Sequence, residues 1–550
     1  MKPTSLCYFW QHPVRYLGMK KNIPVKAFLF ILALVAISEQ TLSQRKKKYN
    51  LVTDFGARAD DKTDCYPAFV RAAAVLSKAG GGVLVIPKGR YYIASYKIHG
   101  GDAKNTIDDI VFRNCTDLEI IGNNSIIRVN GNFSRKSGYS VQGLSYKYSF
   151  NNTVCPFVFS NCRNTVLKNI ILYGEVDKMR NDDKVVEGMS YGVCIYDNAG
   201  DTSNNITLQN ITAHHFAADG FLIRSNGKKH TVINCKAYNN ARQGLSIVKG
   251  KEILVYRSDF DSTGKTGNYG FHWPAAGIDI ENEFNPGDVD NVVIRRCQLR
   301  NNRGFQIVTT LASHNVLIDS CFIKDQDNGY EGGLNGVGMY SLNSTLSNCI
   351  IFGSIQVDIA DQGYRGEKIQ CIRNNIIYSG QRAIISSDFN RPVNIMGNII
   401  VMLPNPVETY FPYIQNVNCR FNDNIVVLHP DRIKNGPPKV TSLVQYVKEG
   451  VNNFWLLNKN DLPKVWLKGY HYYYAAFTDT KLLGNQFFPV NEFTQEMKIP
   501  EKRFVTDMQQ DKIVSNPLFS SFRQTYFDAR LLGQADLIRK YTAGIVAAAK

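Results

Sequence analysis

Residues 293–299 read VIRRCQL, and residues 317–323 read LIDSCFI. Both are short apolar stretches that hold a cysteine at the same place, about 24 residues apart. Stretches of this type recur along the middle of the chain, and the repeated position is taken there by Asn169, Asn210, Cys235, Ser258, Cys349, Asn375 and Asn398. A repeat of this size with strand-like units is typical of a β-solenoid, in which each coil buries its apolar side chains against the next. The pattern predicts an all-β fold with a ladder of like side chains inside the coil.

A second pattern predicts which side chains point outward. The segments DGFLI (219–223), QGLSI (243–247), AGIDI (276–280) and RGFQI (303–307) align on a glycine. The apolar residue after each glycine and the Ile two positions later should point inward, because side chains alternate along a strand. The alignment therefore predicts two outward columns: Leu222, Ser246, Asp279 and Gln306 in one, and Arg224, Val248, Glu281 and Val308 in the next.

The beginning of the chain has the features of an export signal. Lysines precede the apolar run AFLFILALVAI at 27–37, which is shorter than the roughly 20 residues of a membrane helix. Small residues follow at Thr41 and Ser43, so we expect a leader over 1–43, a mature chain from Gln44, and a secreted or periplasmic protein without a membrane span.

The net charge and the cysteine content limit the classes of partner that the protein can bind. The net charge of +17 on an exported protein suits a polyanion, and no basic-aromatic motif of a nucleic-acid reader is present. The repeated phase of Cys235, Cys297, Cys321 and Cys349 indicates buried free thiols that act as small apolar side chains. The composition therefore favours an anionic polysaccharide as partner, with no nucleic acid and no organic cofactor, and a monomeric protein.

The segment after the leader supplies a family resemblance. YNLVTDFGARADDKTDCYPAFVRAAAVLSKAGGGVLVIPKGRYYI (49–93) contains a helix pattern with Pro67 in its first turn and Gly80-Gly81-Gly82 at its end, followed by two strand patterns. It resembles the N-terminal segment of the pectate-lyase-like superfamily, which includes polygalacturonase-type hydrolases. The resemblance implies a right-handed parallel β-helix. We expect an N-terminal cap at 44–104, the helix at 105–403 and a C-terminal cap region at 404–550, whose end resembles the closing segment of bacterial secreted β-helix proteins.

The segment PAAGIDIENEF (274–284) is the main candidate for a site. Asp279, Glu281 and Glu283 occupy alternate positions, so their carboxylates should share one side of a strand. Hard oxygen ligands of this kind suit Ca²⁺.

Residues of neighbouring coils and of the loop before this strand extend the candidate site. Asp219, Arg224 and Arg242 precede it, and Arg303 and Gln306 follow it. The loop STGKTGNYGFHWPAA adds Tyr269, Phe271, His272 and Trp273, and exposed aromatic faces suit sugar rings. We expect Asp279, Glu281, Arg303, Asp219, Arg242 and His272 to be catalytic, and Tyr269, Trp273, Gln306 and Arg224 to bind substrate.

Two chemistries fit these residues. The first is a lyase that cleaves a uronate polysaccharide by β-elimination, with Ca²⁺ on Asp279, Glu281 and Glu283; the arrangement resembles that of β-helix polysaccharide lyases. The second is an inverting hydrolase that uses paired carboxylates about 6.5–9.5 Å apart. The polygalacturonase-type motifs NTD, GDD and GHG are absent, and Gly277–Glu281 keeps only part of the GFDPHE motif of alginate epimerases. A non-catalytic glycan-binding or adhesive β-helix is a third hypothesis, and the lyase is the leading one.

Overall fold

The computed structural model describes most of the chain between residues 46 and 490. The described residues are 46–99, 108–134, 150–181, 190–266, 269–283, 285, 287–310, 312–325, 336–357, 369–379, 385–387, 393–402, 414–428, 444–451, 454–458, 474–475, 481–483 and 486–490. The predicted leader at 1–43 and the closing segment near the C-terminus lie outside them.

One helix and 39 strands occupy these residues. The helix α1 is Tyr66–Ala79. The first strands are β1 Lys48–Asn50, β2 Asp60–Asp64, β3 Val83–Val85, β4 Arg90–Ile93, β5 Tyr96–His99, β6 Val111–Arg113, β7 Glu119–Val129, β8 Phe150–Thr153, β9 Phe157–Ser160, β10 Arg163–Tyr173, β11 Val193–Tyr196, β12 Asn204–His214, β13 Phe221–Lys228, β14 Thr231–Ile233, β15 Lys236–Tyr238, β16 Leu245–Tyr256, β17 Asp259–Asp261, β18 Ile278–Ile280, β19 Val289–Arg295 and β20 Gln298–Arg300. The remaining strands are β21 Ile307–Thr309, β22 His314–Asp319, β23 Phe322–Lys324, β24 Val337–Met339, β25 Thr345–Ser347, β26 Ile350–Phe352, β27 Ile355–Val357, β28 Gln370–Arg373, β29 Ile376–Ser379, β30 Ile385–Ser387, β31 Val393–Met396, β32 Ile399–Met402, β33 Ile414–Asn422, β34 Ile425–Leu428, β35 Val444–Val451, β36 Phe454–Asn458, β37 Tyr474–Ala475, β38 Lys481–Leu483 and β39 Gln486–Val490.

The strands form three parallel stacks, so the predicted parallel β-helix is confirmed. Sheet 1 includes the succession β19, β22, β25 and β28, and sheet 2 includes β17, β20, β23 and β26. Sheet 3 runs from β6 through β9, β11 and β13 to β16, β18, β21, β24, β27 and β30. Parallel pairing continues on both sides of residues 105–403, and the division into caps and helix stays a prediction.

Inward side chains of the three sheets form one continuous apolar core, from Leu51 near the start to Val426. The helix α1 covers the beginning of this core: the ring of Phe69 meets Phe157 edge-on at 6.1 Å between centroids. Gly80 ends the helix with φ of 72°, a left-handed conformation that glycine adopts without strain. The helix α1, which is the one helix of the described residues, lacks the length and apolar content that a membrane crossing needs.

The predicted internal ladder lies at the corner between sheets 1 and 2. Ser258 Oγ accepts the backbone N–H of Cys235 at 3.1 Å, and the sulfur of Cys349 accepts the backbone N–H of Cys321 at 3.3 Å. Cys235, Cys297, Cys321 and Cys349 are buried free thiols, as predicted. Further along the coil, asparagines occupy the same column, and Asn398 Oδ1 accepts the backbone N–H of Asn375 at 2.9 Å.

Two members of the predicted ladder lie in a neighbouring column. Strand pairing places Thr212 beside Lys236, so Ile211 and not Asn210 is equivalent to Cys235. Asn169 and Asn210 instead have φ of 60° and 53°, and their exposed side chains bond to each other at 2.9 Å. Asparagine tolerates this left-handed conformation, which turns the chain between the sheets. The prediction of one column was wrong there because both columns favour asparagine.

Candidate functional site

The candidate site lies on the outward side of sheet 3. Leu222 pairs with Ser246, and Ser246 pairs with Asp279, on adjacent strands. Ile278 and Ile280 belong to the core, so Asp279 between them points away from it. The predicted outward column is therefore confirmed for these three residues. Asp279 is nevertheless only 1% exposed, because neighbouring side chains and loops cover it.

A column of glycines allows the coils to approach closely at this site. A Cβ on Gly220 would lie 2.8 Å from the oxygen of Gly244, one on Gly244 would lie 2.5 Å from the oxygen of Gly277, and one on Gly277 would lie 2.6 Å from the oxygen of Gln306. Real Cβ atoms do not approach backbone oxygens so closely, which explains the glycine in the first three coils.

The same column shows that the predicted register of the fourth segment was wrong by two residues. Ile278 pairs with Ile307 and Asp279 with Val308, so Gln306 takes the place of the aligned glycine. Gln306 is fully buried, and its Oε1 accepts the side-chain N–H of Asn302 at 2.9 Å. It braces the turn before its strand and does not reach the outward surface. Val308 lies in the column of Asp279, not in that of Glu281.

Asp219 and Arg242 form a buried ion pair beside this column. Arg242 Nε donates to Asp219 Oδ1 at 2.9 Å, and Arg242 Nη2 donates to Asp219 Oδ2 at 2.7 Å. Ser246 Oγ donates to the same carboxylate at 2.9 Å. Asp219 is fully buried, while the Arg242 side chain is 14% exposed. A two-bonded guanidinium is held in its charged form, so Arg242 is poorly placed to act as a base.

Gln243 connects the ion pair to Asp279. Its backbone N–H donates to Asp219 Oδ1 at 3.2 Å, and its Nε2 donates to Asp279 Oδ2 at 2.9 Å. Gln243 is 1% exposed, so both bonds are shielded from water. The sequence analysis gave no role to this residue; its place directly after Arg242, one coil before Asp279, is the signal that could have found it.

Asp279 and Glu281 form a coupled carboxyl pair. Burial, and then the adjacent Glu281 carboxyl within hydrogen-bonding reach, raise the pKa of Asp279 well above its usual range. Among the described residues no donor reaches Asp279 Oδ1. A proton on the Asp279 carboxyl is consistent with both observations, because it removes the buried charge and gives the group a donor toward Glu281. Glu281 is half-buried and follows the strand, with its backbone N–H bonded to Ile247 O at 2.9 Å.

The third carboxylate of the predicted row lies apart from this pair. Strand β18 ends at Ile280, and Glu283 is exposed in the segment that follows. Within the described ranges, the structure holds no group of three or more His, Cys, Asp or Glu side chains with metal-site geometry. A calcium site on Asp279, Glu281 and Glu283 stays a prediction, and its first two ligands are already engaged with each other.

The loop before β18 divides its aromatic residues between the interior and the surface. Tyr269 is 3% exposed and packs with Val176, Ala217 and Ala241, and His272 is 8% exposed. Both were expected at the surface, but they anchor the loop because the neighbouring coil offers small alanines. Trp273 is 54% exposed, and its role as a sugar platform stays a prediction.

Two arginines of the predicted site contact aromatic rings. The guanidinium carbon of Arg303 lies 3.5 Å from the ring centre of Phe271, which itself meets Trp273 at 5.5 Å. Arg224 lies over the ring of Tyr196 at 4.6 Å and donates to its hydroxyl. The structure thus joins Asp219, Arg242, Asp279 and Glu281 in one cluster, and it places Arg303 with the loop aromatics. The chain also contains Arg432-Ile433-Lys434, a polygalacturonase-type motif, which lies outside the described residues.

Comparisons with known proteins identify the coil. A family model described as "Right handed beta helix region" matches residues 181–329, which include the whole cluster. The chain is 31% identical over 146 residues to a probable rhamnogalacturonase B of Aspergillus fumigatus, covering 26% of this chain and 27% of that protein. It is 35% identical over 107 residues to a probable rhamnogalacturonase B of Aspergillus oryzae, covering 18% and 19%. The chain thus spans about a quarter or less of the length of these relatives.

Solved structures with similar coils include proteins of several kinds. The A-module of a mannuronan C-5 epimerase of Azotobacter vinelandii is 15% identical, with a TM-score of 0.39 over 80% of this chain and 100% of the module. A surface adhesin of Streptococcus pneumoniae is 12% identical, with a TM-score of 0.43 over 81% of this chain and 92% of the adhesin. A tailspike of Escherichia coli bacteriophage HK620, in complex with a pentasaccharide, is 14% identical, with a TM-score of 0.42 over 80% of this chain and 75% of the tailspike.

Proposed function

We propose that the protein is an exported hydrolase of an acidic polysaccharide, with the Asp279–Glu281 pair as its proton donor. The contact between these two carboxyl groups carries the proposal. A carboxyl whose pKa is raised by burial and by a like neighbour keeps its proton to a higher pH than an ordinary carboxyl does, which suits a general acid. Asp279 holds the proton in the buried position, and Glu281, the half-exposed member, takes it up and passes it to the sugar oxygen.

The contact also changes how the pair can work. Inverting hydrolases place two carboxyls about 6.5–9.5 Å apart, on opposite sides of the bond that they cleave. The Glu281 carboxyl lies within hydrogen-bonding reach of Asp279, which is closer than the separation needed to flank a glycosidic bond. The pairing of these two across the substrate stays a prediction, and we propose instead that they act as one unit on the leaving oxygen.

The residues nearby favour hydrolysis over the lyase reading. Elimination needs an unprotonated base that accepts a proton from the substrate, and Arg242 is held charged by two bonds to Asp219. His272 is only 8% exposed, so little of its imidazole is accessible to a polymeric substrate. The rhamnogalacturonases that the chain resembles over 146 residues support a uronate-containing substrate, and the net charge of +17 supports a polyanion.

Product analysis on purified protein tests this proposal. Rhamnogalacturonan, other pectic fractions and alginate are incubated with the protein, and new reducing ends and the ultraviolet absorbance of unsaturated uronates are both measured. Hydrolysis gives reducing ends without the absorbance. If the absorbance rises in step with the reducing ends, the protein is a lyase. Binding without either product supports the glycan-binding hypothesis.

A further inference from the structure

Two cysteines lie next to each other, away from the core column formed by Cys235, Cys297, Cys321 and Cys349. Cys155 and Cys194 belong to a separate apolar cluster on the outward side of sheet 3, together with Val158, Leu222 and Val248. Their sulfur atoms are 3.6 Å apart, and the two residues are 0% and 3% exposed. We propose that these two thiols form a disulfide bond when the protein folds in contact with a disulfide oxidant.

The local structure lets the two sulfurs close the remaining gap. A disulfide needs an S–S separation of about 2.05 Å, so the sulfurs must approach by roughly 1.5 Å. Cys155 precedes strand β9, so its side chain can turn without breaking the pairing of β9 with β11. The present contacts of its sulfur, at 3.5 Å to Phe157 O and 4.0 Å to Gly192 O, are weak and cost little to lose.

The core thiols are placed differently. Cys321 contacts the carbonyl oxygens of Asp319 at 3.3 Å and Ile294 at 3.6 Å, and it lies between two strands that pair on both sides. The strand ladder holds the parallel side chains of neighbouring coils about 4.8 Å apart, whereas the Cβ atoms of a disulfide lie about 3.8 Å apart, so a bond between Cys297 and Cys321 would strain the ladder. These thiols should stay reduced under the same conditions.

The bond forms by thiol–disulfide exchange, in which the oxidant's disulfide is reduced as the protein's thiols are oxidised. One of the two thiolates attacks a sulfur of the oxidant, such as oxidised glutathione, and releases one glutathione thiol. The second thiolate then attacks the mixed disulfide and releases the other. Two protein thiols are oxidised, one disulfide is reduced to two thiols, and the two protein protons end on glutathione.

The burial of the two thiols indicates when the disulfide can form. Burial, and then the neighbouring Cys155, raise the pKa of the Cys194 thiol, and the thiolate is the reactive species. Exchange is therefore slow once the apolar cluster has closed and should occur during folding. The bond would close a loop between positions 39 apart, which includes Tyr191, whose ring lies 6.0 Å from the Arg242 guanidinium carbon. It would thus fasten the strand next to the carboxyl cluster.

Peptide mapping tests the proposal. The full chain is refolded in a glutathione redox buffer, alkylated, digested without reductant and examined by mass spectrometry. We expect a dominant cross-linked peptide that joins Cys155 to Cys194 and is two hydrogen atoms lighter than the separate peptides. Alkylation of both thiols after oxidative refolding would overturn the proposal, and so would equal cross-linking of Cys297 to Cys321.

Thermal unfolding gives a second readout. Oxidised wild-type protein should unfold several degrees above the same protein in dithiothreitol, because the cross-link restricts the unfolded chain. Cys194→Ala should lose this difference, and Cys235→Ser should keep it, since Ser258 already occupies the equivalent place in the next coil. An unchanged difference in Cys194→Ala contradicts the assignment; if that variant does not fold, the wild-type peptide map still decides.

Discussion

The inner ladder and the outward cluster treat buried polar groups in opposite ways. In the ladder, Asn398 Nδ2 donates to Ile372 O at 2.9 Å and to Asn424 Oδ1 at 3.0 Å, and its Oδ1 accepts the backbone N–H of Asn375. In the cluster, Asp279 Oδ1 and Gln243 Oε1 are buried and receive no hydrogen bond from the described residues. Buried polar groups are normally hydrogen-bonded, so two buried oxygens that accept no hydrogen bond need an explanation.

The difference separates groups that maintain the fold from groups that can act on a substrate. The ladder repeats one small side chain from coil to coil, and each member satisfies the next. The cluster places three carboxyl groups, an amide and a guanidinium within three coils, and the charged groups shift one another's protonation. A row of satisfied amides stabilises a coil, whereas a carboxyl with a raised pKa is suited to proton transfer.

The largest expected effect is on catalysis. Replacing Glu281 with Gln removes the carboxyl that exchanges the proton, and we expect activity to fall by about 10³-fold, within the usual range for loss of a general acid. The melting temperature should hardly change, because Glu281 is half-buried and the new amide can still accept from Asp279. Release of reducing ends measures the effect, and Glu283→Gln on the exposed segment is the matched control. Wild-type activity in Glu281→Gln would remove the pair from the mechanism.

The ion pair of the cluster should show the largest effect on stability. Arg242→Met leaves the Asp219 carboxylate buried and uncompensated, which we expect to cost about 3–5 kcal/mol in the free energy of unfolding. Urea denaturation measures this value. The double variant Asp219→Asn/Arg242→Met should recover much of the loss, because no unpaired charge remains. A single variant as stable as wild type would mean that water, and not Arg242, compensates Asp219.

A ladder position should have a smaller effect. Asn398→Ala removes the partners of Asn375 and Asn424, and we expect a loss of about 2–3 kcal/mol from the unsatisfied groups and the cavity. The same urea assay applies. Activity per folded molecule should stay near that of wild type, since the ladder lies inside the coil. A large loss of activity in folded Asn398→Ala would contradict the separation between ladder and cluster.

The pH dependence of stability should separate the two regions further. The pKa of Asp279 is raised in the folded state, so from about pH 4 upward the folded protein binds more protons at this group than the unfolded chain does. This group therefore makes the protein less stable as pH rises, until the folded-state pKa is passed. Asp279→Asn removes the effect, and its melting temperature should gain on that of wild type between pH 4 and pH 7. Parallel curves for the two proteins would contradict the raised pKa.

The sequence predicted the coil well because the same physics acts in every turn of it. The repeated thiol and amide positions and the alternation around Gly220, Gly244 and Gly277 were enough to place Asp279 on the outward side. Gln306 was misplaced because the alignment assumed that every coil needs a glycine at that point. In its coil the turn has the same length as in the coils of Gly220 and Gly244, and a buried glutamine bonded to Asn302 replaces the glycine.

The site was harder to predict than the coil because its properties depend on depth. The alternation of side chains along a strand predicts on which side Asp279 lies. It does not predict that loops and neighbouring side chains bury this residue. The same limit applies to Tyr269, which looked like a sugar platform and packs on Ala217 and Ala241. The role of Gln243 follows from two hydrogen bonds to residues of neighbouring coils, and no local sequence pattern predicts these bonds.

The measurement that tests the account most directly is the protonation state of Asp279 near neutral pH. Infrared difference spectra of wild-type protein and Asp279→Asn, recorded at pH 7, report the C=O stretch of a protonated carboxyl group. We predict that this band is present in wild-type protein and lost in Asp279→Asn, while Glu283→Gln leaves it unchanged. A difference spectrum that contains only ionised carboxylate bands would contradict a shared proton on the Asp279–Glu281 pair.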